Sequence, residues 1–182
     1  MKYNEKVTLK DGRICTLRNC EVKDTPRVIA IFNLTHAQTD FLLSYPDECT
    51  FTEEQESKFL GAMEENPRGI EILAEIDGAI VGMAGFDGVG SQYKKAHRAE
   101  LGISVDKDYW GIGVGKALMN ACINCARTAD YEQLELDVVS ENDRAISLYE
   151  KYGFVEYGRN PKGLRRRGGG YQELVLMRLE LK

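Results

Sequence analysis

Alternating apolar and polar residues predict most of the strands in this chain. Residues 13–20 alternate near the amino terminus, and residues 69–76 and 79–86 form a second apolar pair. Asp77-Gly78 separates that pair, and this dipeptide is typical of a two-residue hairpin turn. Further strands are predicted over residues 97–105, 133–139, 154–158 and 171–181.

Helical spacing and capping residues predict four helices. Thr25 is the expected cap of the first, with Pro26 at its first position, and this helix runs to about residue 38. Thr52 begins the second, which ends at Asn66-Pro67. The other two helices are predicted from residues 110–116 to about 129 and from Asn142 to Lys151, where Gly153 stops the last one. Residues 158–170, rich in glycine and arginine, are predicted to form a flexible loop.

The order of these elements indicates the fold class. It reads strand, two helices, three strands, helix, strand, helix, two strands, which predicts an α/β (mixed α+β) fold. We expect a mixed, mostly antiparallel central sheet flanked by helices. The 182 residues, of which 43% are hydrophobic and 29% charged, suit one globular domain over residues 1–182.

Charge and hydropathy argue against several function classes. A formal net charge of −5 does not match a nucleic-acid-binding surface, so the run Arg165-Arg166-Arg167 is read as a solvated loop. The longest apolar run, Val28 to Phe32, is too short to span a membrane. The start of the chain lacks the apolar stretch of a signal peptide, so a cytoplasmic location is expected.

The five cysteines do not form a metal motif. Cys122 and Cys125 are spaced as a CxxC pair, but this pair lies in a helical pattern and has no second pair near it. Cys15, Cys20 and Cys49 are scattered. We therefore expect reduced, mostly buried thiols and no metal site, with a redox role for the CxxC pair as a minor alternative.

The glycine-rich segment 110–116 (WGIGVGK) follows a predicted strand and begins a helix. Glycines allow a ligand to approach the backbone closely, and free N–H groups at a helix start attract anions. A dinucleotide fingerprint would need glycine at position 116 or 118, where the chain has Lys116 and Leu118. A P-loop fails at Trp110 and Ala117. By itself, the segment fits either an anion site or a turn without a ligand.

Four segments, in this order, resemble the motifs of the GCN5-related N-acetyltransferase (GNAT) superfamily. They are residues 99–105, 110–118, 134–139 and 142–154. The weaker amino-terminal pattern, which includes residues 44–48, also resembles that of family members. The loop departs from the family pattern at Trp110, because many members have Gln or Arg there. Tryptophan is typical of the branch that resembles ribosomal-protein and small-amine acetyltransferases.

The resemblance implies acetyl-coenzyme A (acetyl-CoA) as cosubstrate. The pantetheine arm is expected along the backbone of Ile103 to Val105, and the pyrophosphate on the N–H groups of residues 112–116. The residues implied to bind the cosubstrate are Ile103, Ser104, Val105, Trp110, Gly111, Ile112, Gly113, Val114, Gly115, Lys116, Asn142, Ala145 and Tyr149.

Glu100 and Tyr149 are the implied catalytic residues. An alkyl amine is mostly protonated at neutral pH, so acetyl transfer needs a base, for which Glu100 is the candidate. Tyr149 can donate a proton to the departing thiolate, and Asn142 lies two helical turns earlier on the same side. The alternatives are a solvated strand carboxylate for Glu100, a helix cap for Asn142 and a core aromatic for Tyr149.

The predicted function is transfer of an acetyl group from acetyl-CoA to a primary amine of a small molecule or protein. A non-catalytic acyl-CoA-binding or sensor module is the alternative, and a nucleotide-dependent enzyme is less favoured. The acceptor is open between a protein amino terminus, a polyamine, an amino acid and a drug-like amine. Residues of about 33–50 and 158–170 are expected to border it, and a homodimer is possible.

Overall fold

The computed structural model describes residues 1–48 and 50–182, which form eight strands and four α-helices. The strands are β1 (Asn4–Thr8), β2 (Ile14–Asn19), β3 (Ile70–Ile76), β4 (Ala79–Gly88), β5 (Arg98–Val105), β6 (Gln133–Val139), β7 (Val155–Arg165) and β8 (Tyr171–Glu180). The helices are α1 (Thr25–Ala37), α2 (Glu53–Glu65), α3 (Val114–Thr128) and α4 (Asp143–Lys151). Short 3-10 helices lie at Val22–Asp24, Pro46–Glu48 and Lys107–Tyr109.

The strands form one sheet in the order β1-β2-β3-β4-β5-β6-β8-β7. Every neighbouring pair is antiparallel except β5 and β6. Successive residues of β3 face opposite sides of the sheet. Ile72 joins the core formed with α3, whereas Leu73 joins Val28 of α1 and Leu60 of α2. The predicted mixed, mostly antiparallel sheet flanked by helices is confirmed.

The parallel pairing between β5 and β6 is short. It begins at Arg98 with Gln133 and ends at Glu100 with Glu135. Beyond this point β5 remains paired with β4 as far as Val105, and β6 remains paired with β8. The two central strands therefore diverge, and the sheet opens between them.

Two local predictions were wrong, and one strand was not predicted at all. Thr25 is inside α1 and does not cap it: its hydroxyl donates to the carbonyl of Val22 (2.6 Å), and Asp24 occupies the cap position. The short edge strand β1 was not predicted, because most of its residues are polar and exposed. Residues 158–165 are not a loop, since β7 continues to Arg165 by pairing with β8.

The register of β7 accommodates a proline within the strand. The pairing with β8 shifts between Asn160 and Leu164, and Pro161 lies in that irregular stretch. Proline cannot donate to a strand ladder, so it is tolerated in an edge strand at such a point. The glycine-rich turn is confined to residues 166–170.

Other local predictions are confirmed. Asp77 and Gly78 have φ values of 49° and 81°, which is the left-handed geometry of the predicted hairpin turn. Thr52 caps α2 and exchanges hydrogen bonds with Gln55.

No helix among the described residues is long and apolar enough to span a membrane.

The described cysteines are free and buried. Burial raises the pKa of Cys20 to about 12 and that of Cys125 to about 11, which disfavours the reactive thiolate. Cys15 and Cys122 are likewise buried, and the prediction for Cys49 lies outside the described residues.

Candidate active site

A cleft of about 550 Å³ lies where β5 and β6 diverge. One wall is β5 from Leu101 to Val105, and the other is formed by Asp137 and Val138 of β6 with α4. The glycine-rich loop lies at one end, and residues 35–43, at the end of α1 and beyond it, contribute side chains to the same cleft. The divergence of the strands thus gathers segments that are far apart in the sequence.

The register of β5 determines which backbone groups face this cleft. Asp106 N–H donates to the carbonyl of Val81 (2.9 Å), so bonded and non-bonded positions alternate along the β4–β5 pair. By this alternation Ile103 and Val105 direct their N–H and C=O groups away from β4 and toward the cleft. Ser104 bonds to β4 through its backbone, so its side chain is the part available to a ligand.

Trp110 links the loop to the end of β5. Its indole Nε1–H donates to the carbonyl of Val105 at 2.7 Å. The guanidinium of Arg144, in the first turn of α4, lies 4.8 Å from the centre of the indole ring. Tryptophan at this position therefore holds strand, loop and α4 together.

The loop has the backbone conformation that its glycines allow. Gly111 and Gly113 have φ values of +85° and +115°, which side-chain-bearing residues rarely adopt. Lys10 supports the loop, because its N–H donates to the carbonyl of Ile112 (3.0 Å) and its Nζ to that of Gly111 (3.2 Å). Helix α3 begins at Val114, so its first N–H groups have no carbonyl one turn earlier to bind.

Four cationic side chains line the cleft, and all but Lys151 belong to the loop or contact it: Lys10, Lys116, Arg144 and Lys151. Of these four, only Lys116 was predicted from the sequence to lie in the site. Lys10 and Arg144 come from the β1–β2 connection and from α4, and nothing in the sequence shows that these segments meet the loop. Free N–H groups surrounded by cations form a site suited to phosphate groups.

Tyr149 reaches the cleft from the interior. Its side chain is 7% exposed and lies beside Phe154, with 5.8 Å between the ring centres. Burial raises the pKa of Tyr149 to about 12, so the phenol keeps its proton at neutral pH and can donate it. Asn142 also lines the cleft, and its side chain accepts the N–H of Ala145 (3.2 Å) as the cap of α4.

Three of the predicted site residues do not line the cleft. Glu100 is exposed, and the lining of β5 begins one residue later at Leu101. Val114 is buried in the core, and Ile112 is half-buried with its carbonyl bonded to Lys10. The other predicted residues that line the cleft are Ile103, Ser104, Val105, Trp110, Gly111, Gly113, Gly115, Lys116, Asn142, Ala145 and Tyr149.

Two segments beside the cleft bind each other. Arg167, in the β7–β8 turn, pairs with Asp47 and Glu48, and its guanidinium lies 4.3 Å from the centre of the Tyr45 ring. A small cavity beside this contact is lined by Thr39, Leu42 and Leu43, which also line the cleft, and by Leu164 and Arg165. These segments overlap the two ranges predicted to border the acceptor.

Comparison with known proteins identifies the class. The sequence model of the acetyltransferase (GNAT) family matches residues 32–154, well over half of the chain. The chain therefore belongs to the GNAT family. It is an acetyl-CoA-dependent N-acetyltransferase.

Two relatives and one solved structure illustrate how similar this chain is to known acetyltransferases. L-amino acid N-acetyltransferase AaaT of Escherichia coli (strain K12) is 36% identical over 99 residues, which span 54% of this chain and 60% of AaaT. The putative phosphinothricin acetyltransferase YwnH of Bacillus subtilis (strain 168) is 26% identical over 91% of this chain and 99% of its own length. The structure of a GNAT-family acetyltransferase from Streptococcus pneumoniae superposes with a TM-score of 0.88 at 28% identity and covers 91% of this chain and 99% of its own.

Proposed function

We propose that acetyl-CoA binds in the cleft between β5 and β6 and that the acceptor amine enters from the side of residues 35–43. The end of the parallel pairing at Glu100 and Glu135 is the observation that carries this proposal. It leaves the backbone of Ile103 and Val105 facing an open cleft beside the glycine-rich loop. All of residues 1–182 are proposed to serve this one acetyltransferase domain.

The residues present suit acetyl-CoA at both ends of the cleft. Ile103 offers N–H and C=O groups to the amides of the pantetheine arm, and Val105 offers its N–H, because its carbonyl is bonded to Trp110. The N–H groups of residues 112–116 suit the pyrophosphate. Lys10, Lys116 and Arg144 supply positive charge beside them, and the bound thioester supplies the activated acetyl group.

Two protein groups handle protons in this proposal. Tyr149 donates its phenolic proton to the sulfur as the C–S bond breaks. The proton that the amine must lose before it attacks is proposed to pass to a carboxylate on the sheet face that Glu100 shares with Gly102 and Ser104. Asn142 fixes the start of α4 and so positions Tyr149.

For the acceptor we propose an amino acid or a close analogue. Two of the relatives are named for an L-amino acid and for phosphinothricin. In the structure, Arg165 lines the small cavity next to the cleft. Its neighbours Arg166 and Arg167 pair with Glu141 and Asp47, whereas within residues 1–48 and 50–182 no carboxylate pairs with Arg165. A free guanidinium is suited to the carboxylate of an amino acid.

A thermal-shift titration tests the cosubstrate, with ATP and NAD as controls. A ligand that binds only the folded state adds about 2.7 kcal/mol of stability at a hundredfold excess over its Kd. Acetyl-CoA alone should raise the melting temperature. The Tyr149→Phe variant should bind it equally but turn over at least about tenfold more slowly, whereas the exposed Tyr93→Phe control should be unchanged. Absence of any shift would contradict the placement of the site.

A screen of acceptor amines tests the proposal that the acceptor is an amino acid. Thiol release is measured with L-amino acids, phosphinothricin, spermidine, an alanine-initiated peptide and amines that lack the carboxylate. Amino acids should react fastest, and Arg165→Gln should raise KM for them by about tenfold, the loss of one charged hydrogen bond, without affecting amines that lack a carboxylate. Arg166→Gln is the matched control. Preference for spermidine would contradict the amino-acid assignment.

A further inference from the structure

Besides Glu100, a second carboxyl group lies on the same face of the sheet, close to the cleft. Glu71 of β3 lies directly opposite Gly85 of β4, and Gly85 lies opposite Gly102 of β5. Directly opposed residues of antiparallel strands point to the same face, so the three form one row across the sheet. This is the face that carries Glu100 and Ser104.

The side chain of Glu71 extends along this row. Its Oε2 occupies the position that a Cβ on Gly85 would need, so the carboxyl lies over β4 and not over its own strand. At Gly102 nothing lies within 4 Å of the corresponding Cβ position, and Gly102 lines the cleft. Two glycines in succession therefore leave an open path from the carboxyl toward the cleft.

The length of this path suits water. Neighbouring strands are about 4.8 Å apart, so roughly one strand spacing separates the Glu71 carboxyl from the space over Gly102. One or two water molecules span such a distance with ordinary hydrogen bonds.

The surroundings of Glu71 give it the properties of a base near neutral pH. Burial raises its pKa to about 8, and Glu56 of α2 adds to the effect. The charge of Glu71 in turn adds to the raised pKa of Cys20, just after β2, and of Cys122 in α3, which packs on the opposite face of the sheet. The titratable group on the buried side of α1 is His36, whose Nδ1 bonds the carbonyl of Phe32. Among residues 1–48 and 50–182, no cation or hydrogen-bond donor pairs with the Glu71 carboxyl.

We infer that Glu71 accepts the proton of the acceptor amine through water held over Gly85 and Gly102. The inference rests on the proposed function, because it needs the acceptor to meet the thioester beside Gly102. It adds to the reaction a residue that does not line the cleft and that the sequence did not single out.

Every proton that the amine loses in this reaction has a named acceptor. The ammonium group gives one proton to the water, which passes one to the Glu71 carboxylate, leaving a free amine and a neutral carboxylic acid. The nitrogen bonds to the acetyl carbon, the C–S bond breaks, and the sulfur takes the phenolic proton of Tyr149. The second proton lost by the nitrogen restores that phenol. Glu71 then releases its proton to solvent.

The pH dependence of kcat/KM tests this inference, measured with the two acceptors of the screen whose amine pKa values differ most. In the wild type, one limb with an apparent pKa near 8 should be common to both acceptors. Glu71→Gln should lower kcat/KM by about a hundredfold. The pH profile of this variant should keep one limb, and the apparent pKa of that limb should differ between the two acceptors as their amine pKa values do. The affinity of the variant for acetyl-CoA should stay unchanged. Glu56→Gln should keep activity and shift the common limb to lower pH.

Other results would overturn the inference. If Glu100→Gln removes the common limb and Glu71→Gln does not, the exposed carboxylate is the base. If Glu71→Gln fails to fold, Gly102→Ala replaces it in the test, because an added Cβ has open space there. That methyl group should obstruct the water and suppress the limb, and an unchanged limb would count against the path. A wild type that releases no thiol with any acceptor would instead contradict the proposed function.

Discussion

Replacing Glu71 by glutamine should make the protein more stable at alkaline pH. The fold raises the pKa of this carboxyl from 4.5 to about 8, mainly by burial. Between these values the folded protein keeps a proton that the unfolded chain has released. Stability that depends on Glu71 is therefore complete below about pH 4.5 and is lost as the pH rises through about 8. Glutamine has a similar shape and does not titrate, so the variant avoids this loss.

The size of the effect follows from the pKa difference. Each pKa unit corresponds to 1.36 kcal/mol, so the full difference sets a ceiling of about 5 kcal/mol above pH 8 and about 3 kcal/mol at pH 7. Total stabilities of small domains are about 5–15 kcal/mol, so even half of this ceiling is measurable.

Urea unfolding at several pH values between about 5 and 9 provides the assay, with the fluorescence of Trp110, the single tryptophan, as the probe. The free-energy difference between Glu71→Gln and the wild type should grow with pH and level off above about 8. Glu54→Gln, at an exposed position in the first turn of α2, is the control and should give a difference that does not change with pH. A flat difference for Glu71→Gln would refute the reasoning.

Two further predictions concern the glycine-rich loop. Trp110→Phe removes the hydrogen bond to Val105 and should cost about 1 kcal/mol of stability. Isothermal titration should also show weaker acetyl-CoA binding, and unchanged affinity would mean that the bond does not position the loop. Gly113→Ala should cost about 1–3 kcal/mol in urea unfolding, because φ is +115° there, although the added methyl group meets no close atom. Gly168→Ala, at an open position without positive φ, is its control and should be nearly neutral.

The importance of Trp110 can be seen in the sequence, whereas that of Glu71 cannot. Trp110 lies inside a local motif, and its place between a strand and a helix is visible in the sequence. Glu71 reads as an ordinary polar position in a half-buried strand. Its relation to Gly85 and Gly102 depends on the register of three strands, and a shift of one residue would turn it to the other face of the sheet.

Local sequence patterns were sufficient to predict most of the strands and helices. Alternation predicted the central strands, the Asp77-Gly78 turn joined two of them, and Thr52 marked the start of α2. Thr25 was misassigned because Asp24 was the competing cap one residue earlier, and both residue types suit that position. The full length of β7 could not be seen, because its polar and glycine-rich sequence is ordered by pairing with β8 and not by its own propensity.

By itself, the sequence determined the fold class, the family resemblance and the order of strand, loop and helix around residues 99–118. These depend on contacts between near neighbours in the chain, which periodicity, caps and glycine positions record. The tertiary structure decided which distant groups share the cleft. Lys10 and Arg144 meet the loop, and Glu71 reaches toward Gly102, because β5 and β6 separate after Glu100 and because the strand registers align residues far apart in sequence. No local pattern encodes such alignment, since it is fixed only when the whole sheet packs against its helices.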